Sequence, residues 1–197
     1  MLQKEDAGLN AYDDASSVAI RGVRALLLIA LVALLAVLVS PAIATSSTSR
    51  GMVALSSLES GVLQQLNTIR RQHGLVPLKL SARLTASSGQ HSREMSADGY
   101  FAHTSHDGTA FWKRISRWYG QNHFRYWSVG ENLLWSSPEV DPAGALQLWM
   151  SSPEHRANIL TARWREIGIS ALHVSAAPGA YKGLEVTIIT TDFGVRH

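Results

Sequence analysis

Apolar residues recur along this chain in three rhythms. From Ala25 to Val39 they form an unbroken run, between Leu58 and Leu160 they return every three or four residues, and from Ile167 onward they crowd into short β-branched stretches. The middle rhythm is helical. Ser56 followed by Glu59 is a capping-box pattern, and Leu58, Val62, Leu66 and Ile69 then share one face, so a first helix is expected over about 57–73, stopped at His73-Gly74. A second, capped by Ser81, carries Leu84, Ser88, His91 and Met95 on one face and stops at Asp98-Gly99. Thr109 opens a third with Phe111, Ile115 and Trp118 aligned, ending at Gly120. Asp141-Pro142 starts a fourth, with Asp as cap and Pro at the first helical position, and Leu148 and Trp149 are expected to face inward. Ser152-Pro153 repeats that signature and predicts a short helix over about 153–160 with His155 in its first turn.

The last rhythm predicts strands. Ile167 to Val174 and Leu184 to Asp192 are rich in β-branched residues and are joined through Ala176-Ala177-Pro178-Gly179-Ala180, a hairpin-like connection implying an antiparallel pair. A shorter extended piece, Trp127 to Leu134, would add a third strand. Helices early and strands late give an α+β domain with helices packed on a small antiparallel sheet.

The first rhythm belongs to targeting. Arg21 and Arg24 precede the apolar run, Ser40-Pro41 breaks it, and Ala42-Ile43-Ala44 supplies small residues for cleavage. Residues 1–24 therefore read as an N-terminal tail, 25–44 as a signal peptide or membrane anchor, 45–55 as a Ser/Thr-rich linker and 56–197 as the exported domain. Fifteen apolar residues fall short of the ~20 that span a bilayer, which favours cleavage after Ala44 and a secreted or periplasmic product over a single-pass anchor.

Composition narrows the chemistry. The chain has no cysteine, which removes disulfide, thiol and Cys-zinc chemistry and leaves packing alone to stabilise an exported domain. Downstream of residue 44, fifteen Lys and Arg face eleven Asp and Glu. They are scattered, so no nucleic-acid partner is expected, and contact with a membrane is expected only through 25–44 if that segment is kept. Nine of the fifteen aromatics fall between Tyr100 and Trp127, as core packing or as the lining of a groove for a lipid, sugar or peptide. H-E-x-x-H, G-x-S-x-G, S-x-x-K, P-loop and dinucleotide signatures are all missing, which weakens the case for a hydrolase or nucleotide enzyme.

Three segments set proton-active or ligand-type residues among apolar neighbours: Phe101 to Gly108, Val129 to Leu133, and Trp149 to Leu160. With Leu66-Asn67-x-x-Arg70-x-x-His73-Gly74-Leu75-x-Pro77-Leu78, His91-Ser92-x-x-Met95, Phe101-x-His103, Gly130-Glu131-Asn132, Trp149-Met150-x-Ser152-Pro153-x-His155-Arg156-x-Asn158-Ile159-Leu160, Ile167-Gly168-Ile169 and Asp192-Phe193-Gly194, they resemble the CAP superfamily, the cysteine-rich secretory, antigen 5 and pathogenesis-related proteins, in a bacterial cysteine-free form. The resemblance implies an α-β-α sandwich with a surface cleft holding two histidines and one or two glutamates, the histidines binding a divalent metal in some members. Carried over by position, the histidines are His103 and His155 and the glutamate is Glu131. The place of a second Glu is taken by Ser152.

The chemistry of that set stands beside the resemblance. Two neutral imidazoles suit zinc, and Glu131 could ligate, orient a water, or hydrogen-bond a histidine from behind. A His155 ring in the first turn of a helix lies near the positive dipole end, which favours its neutral form. A buried polar cluster holding helix ends against the sheet is the alternative for the whole set. His91 reads as a core histidine, His106-Asp107-Gly108 as a turn with His106 a second-choice ligand, Glu154 as a contribution to the helix start, and Arg156 and Asn158 as anchors for backbone carbonyls and the following loop. The expected function is a binding module for an amphipathic, glycan or peptide ligand, with a metal- or Glu131-dependent hydrolase and a structural envelope domain as alternatives.

Overall fold

The computed structural model describes residues 55–197, so the tail, the apolar run and nearly all of the linker read from the sequence lie outside the described residues. Five helices and four strands follow in the order α1 (Ser57–Gln72), β1 (Lys79–Leu80), α2 (Ala82–Asp98), α3 (Phe111–Trp118), β2 (Trp127–Ser136), α4 (Pro142–Ser151), α5 (Pro153–Ile159), β3 (Glu166–Val174) and β4 (Val186–Arg196). The sheet order is β1-β3-β4-β2. Strands β2, β4 and β3 are antiparallel, but β1 pairs in parallel with β3, so the sheet is mixed and not wholly antiparallel. A two-residue strand has no period to read, which is why the pattern of apolar positions does not announce β1.

Alternation along the strands sends side chains to two helical layers. On one face Ile167, Ile169, Ile189, Phe193 and Val195 pack with Val62 and Leu66 of α1, Ala145 and Trp149 of α4 and Ile159 of α5. On the other, Leu84 of α2 meets Ile115 and Tyr119, and Met95 meets Leu133, Tyr181, Val186 and Ile188. The result is an α+β fold built as an α-β-α sandwich, and its buried clusters all lie between Val62 and Val195.

Local signals placed the two best-capped helices. Ser56 and Glu59 close a reciprocal capping box, and the Asp141 carboxylate accepts from the Gly144 N–H at 2.7 Å ahead of Pro142. Other expectations need correction. Ser81 occupies the cap position of α2 without a side-chain cap bond, because its β-region backbone is held by β1 pairing. Helix α3 starts at Phe111 with Ala110 as its cap, since Thr109 is drawn back into a turn with Ser105 and Asp107. Leu148 is exposed, not inward, and Trp118 is exposed at the C-terminal end of α3. Strand β2 runs on to Ser136, and β4 begins at Val186 and runs on to Arg196.

Two contacts fix α2. Gly168 of β3 lies so close that a Cβ there would fall 2.0 Å from the Leu84 carbonyl carbon and 2.2 Å from the Thr85 nitrogen. At its C-terminus Gly99 takes the left-handed conformation and abuts Gly179, also left-handed, whose Cβ would meet the Gly99 oxygen at 2.1 Å. The Ala180 N–H donates to Gly99 at 2.8 Å, and the Tyr181 hydroxyl donates to the Tyr100 carbonyl at 2.9 Å.

Candidate functional site

The site gathers around β2, an edge strand whose alternate residues serve different layers. Glu131 points to the α2–α3 side, while Asn132 serves the α5 side, where its amide donates to the His155 carbonyl at 3.1 Å. Side chains of the α4–α5 layer satisfy neighbouring β2 carbonyls: Trp149 Nε1 donates to Leu133 at 3.0 Å and Asn158 Nδ2 to Glu131 at 3.1 Å. Asn158 also takes the Trp164 indole N–H on its side-chain oxygen at 3.1 Å. It is the anchor expected for that loop, whereas Arg156 is exposed.

The loop after α2 delivers His103 to the other side of the same strand. Its Nδ1 lies 2.8 Å from Glu131 Oε1, and its ring meets Phe111 edge-on at 6.2 Å. The second Glu131 oxygen binds Arg114 of α3, a fully buried guanidinium that also donates to the His103 carbonyl at 3.0 Å and the Ser105 hydroxyl at 3.1 Å. Burial pushes Glu131 up, but the His103 hydrogen bond and the Arg114 charge outweigh it, so its carboxyl lies below its ordinary value and is ionised. An ionised carboxylate only accepts, so His103 Nδ1 carries the proton. In the neutral ring Nε2 is then the acceptor. The His103 side chain remains 25% exposed while that of Glu131 is 0% exposed.

Of the three roles open to Glu131, the geometry selects the one behind the histidine. Both oxygens are committed, so it neither ligates a metal nor activates a water as it stands. Among the described residues no three His, Asp or Glu side chains cluster as metal ligands. The donors that remain for a divalent ion are imidazoles. His155, half-buried in the first turn of α5, reaches the same stretch of β2 from the opposite layer. Ser152 is the cap residue of α5 without a side-chain cap bond. Glu154 is exposed, and His106 sits outside the site, stacked on Tyr100 and 3.6 Å from Asp98. His91 is the core histidine expected, with Nε2 2.9 Å from the Ala102 carbonyl and its pKa lowered chiefly by burial. A groove of about 350 Å³ runs beside α4 and α5, lined by Met150, Pro153, Arg156 and Leu160 among others. A wider one of about 630 Å³ lies at the N-termini of α1 and α4. Neither is lined by His103 or Glu131.

Two further residues belong to the cluster and were not read from the sequence. Arg114 lies on the inward face of α3 among Phe111 and Ile115, and a cation at that position is the signal. Asp192 pairs with Glu131 across β2–β4, is 0% exposed, and has neither oxygen hydrogen-bonded in the protein. The Ser87 hydroxyl of α2 approaches it but is itself left without a hydrogen bond. Burial first, and the Glu131 charge next, push the Asp192 carboxyl well above its ordinary range. A family model, the cysteine-rich secretory protein family or CAP, matches residues 63–186 and so covers both the His103–Glu131 pair and α5.

The chain belongs to the CAP family. An extracellular protein of Bacillus anthracis containing an SCP domain is similar in structure at 26% identity, with a TM-score of 0.50, covering 72% of this chain and 44% of that one. An outer surface protein of Borrelia burgdorferi shares the fold at 17% identity and a TM-score of 0.54, covering 69% of this chain and 90% of that one. An uncharacterized membrane protein of Bacillus subtilis, YlbC, is 27% identical over 111 residues, which are 56% of this chain and 30% of that protein. This CAP chain thus spans less than a third of the length of the curated relative it matches. Among its described residues no helix is long and apolar enough to cross a membrane.

Proposed function

We propose that this protein is an exported binding module whose cleft, flanked by His103 and His155, takes an amphipathic, glycan or peptide ligand, with zinc or another divalent ion held weakly by the two imidazoles. The observation that carries this reading is the commitment of both Glu131 oxygens, one to His103 and one to Arg114. A carboxylate so engaged orients an imidazole and is not itself free to activate a water, whereas hydrolysis needs a base, a water and a donor for developing charge together. A metal bound to His103 and His155 would supply Lewis acidity, and what the chain contributes is the fixed tautomer of His103. An extracellular neighbour supports export, and cleavage after Ala44 is the form of it that the short apolar run favours.

Calorimetric titration of residues 45–197 with zinc tests the reading. Binding is expected in the wild type and lost in both His103→Ala and His155→Ala, each checked for an unchanged fold. Equal zinc binding by the double variant overturns it. The hydrolase reading draws on the His103–Glu131 pair, which resembles a base with its orienting carboxylate. Turnover of casein, simple esters or peptidoglycan that disappears in His103→Ala, yet persists in Leu148→Ser on the exposed face of α4, would establish it.

A further inference from the structure

The outer face of α3 and the loop that follows it differ from the rest of the surface. Large hydrophobic side chains exposed among the described residues include four aromatics, Trp112, Trp118, Phe124 and Tyr126, all within fifteen positions of one another. No Asp or Glu occurs between Asp107 and Glu131, while Lys113, Arg117 and Arg125 are all exposed there. At 100° per residue, Trp112 and Arg117 flank the buried Arg114–Ile115 side of α3 and Lys113 projects between them on the outer side, while Trp118, the last residue of the helix, is exposed at its end. Cations and rings are already in contact: the Lys113 ammonium lies 5.3 Å from the Trp112 ring centre, and the Arg196 guanidinium lies 4.0 Å from the centre of Tyr119 and 4.8 Å from that of Phe124.

We propose that this face, Trp112, Lys113, Arg117 and Trp118 of α3 with Phe124, Arg125 and Tyr126 beyond it, docks the domain on the headgroup layer of an anionic lipid membrane. Indole and phenol rings prefer the headgroup level, where the ring is apolar and its N–H or O–H stays wet, and Lys and Arg meet lipid phosphates there. Beyond Asp107, whose exposed carboxylate lies near Arg117 at the edge of the face, the segment up to Glu131 brings no acidic side chain to repel those phosphates. The surface is that of a convex helix, and neither groove described above includes any of its residues, so it suits a broad interface and not an enclosed small molecule. This contact is additional to any made by residues 25–44 and does not depend on what the cleft binds. It has a direct consequence for the cleft. The inner side of the same short helix presents Arg114, which holds Glu131 and the His103 carbonyl, so docking fixes how the His103 site is turned relative to the lipid.

The test is co-sedimentation of residues 45–197, which contain every buried cluster of the described residues, with phosphatidylcholine vesicles prepared with and without phosphatidylglycerol. Wild-type protein is expected to partition onto the phosphatidylglycerol vesicles with a blue shift of tryptophan emission. Trp112→Ala/Trp118→Ala and Lys113→Glu/Arg117→Glu should each weaken partitioning about tenfold or more, with unchanged circular dichroism. Trp112→Ala alone, which removes no hydrogen bond, gives a second and milder reading if the double variant is unstable. Leu148→Ser, an equally exposed apolar site on α4, should have no effect. Failure to bind phosphatidylglycerol vesicles, or binding that survives both double variants, overturns the proposal. So does binding that is lost in the charge-reversed variant but is seen only with an anionic wall polymer.

Discussion

Glu131 and Asp192 face each other across the β2–β4 ladder, both buried, yet their carboxyls are shifted in opposite directions, Glu131 down and Asp192 up. Arg114 and His103 between them take both oxygens of Glu131 and keep it ionised. Asp192 receives no hydrogen bond, and an unpaired buried charge is too costly to keep, so it is the neutral acid of the pair. Replacing Glu131 by Gln strands the Arg114 charge and should cost about 3–5 kcal/mol. Asp192→Asn keeps a neutral group of the same shape and should cost about 1 kcal/mol or less. Urea unfolding of the two variants decides the matter. Equal losses would mean that Asp192 is ionised.

A second expectation concerns acid. His91 is buried and neutral, its pKa depressed below the ordinary 6.5 chiefly by desolvation. A histidine held neutral contributes stability that is complete above its unfolded value and is lost as pH falls toward the folded one. The melting temperature should therefore drop between about pH 7 and pH 5, and His91→Gln should flatten that part of the profile. Asp192 contributes with the opposite sign, since its raised carboxyl favours the fold below the ordinary 3.8 and loses that advantage as pH climbs through the folded value. An unchanged slope in His91→Gln would assign the acid sensitivity elsewhere.

Gly168→Ala should be among the most damaging single-methyl additions in the domain. The new carbon would enter the backbone of α2 at Leu84 and Thr85, which cannot rotate away, so the loss should reach about 3 kcal/mol or more. Gly108→Ala adds the same methyl in open space and strains only a left-handed turn, so the difference in unfolding midpoint between the two isolates the steric contact.

Arg70 makes a different kind of contact. From the end of α1 its buried guanidinium donates to the carbonyls of Val76 at 3.0 Å, Ile159 at 2.6 Å, Thr161 at 3.1 Å and Trp164 at 3.4 Å. Arg70→Met removes these donors and should cost about 3 kcal/mol or more. It also frees the C-terminal end of α5, so the His155 ring resonance should move in the NMR spectrum while that of His173 stays. A His155 signal that does not move would separate α5 from this anchor.

What could be read from the sequence follows from the range of the interaction. Ser56 with Glu59 and Asp141 with Pro142 close their bonds within three residues, so their spelling suffices. The antiparallel pairing of the last two strands was legible because Ile167 to Val174 and Leu184 to Asp192 are β-branched stretches joined by a short connection. The pairing of β1 with β3 was not, since Lys79 and Glu166 meet only through tertiary structure. Arg114 and Asp192 escaped for the same reason. Each is an ionisable group at an inward position of its own element, and such a group demands surroundings that the local sequence does not name. The inward placing of Leu148 failed for a converse reason: helical period gives the face, but a helix at the rim leaves part of that face uncovered.

The contact between Gly99 and Gly179 bears on how this domain can change over evolutionary time. A connection between two antiparallel strands is ordinarily where a protein gains and loses residues with least effect. Here that connection rests on the exit of α2, four residues before His103, with both backbones in conformations that side chains rarely adopt. A lengthened β3–β4 connection would therefore be transmitted along Tyr100 to Ala102 and felt as a displaced imidazole. New surface loops have an easier entry elsewhere, such as Gln121 to His123, where the chain is exposed.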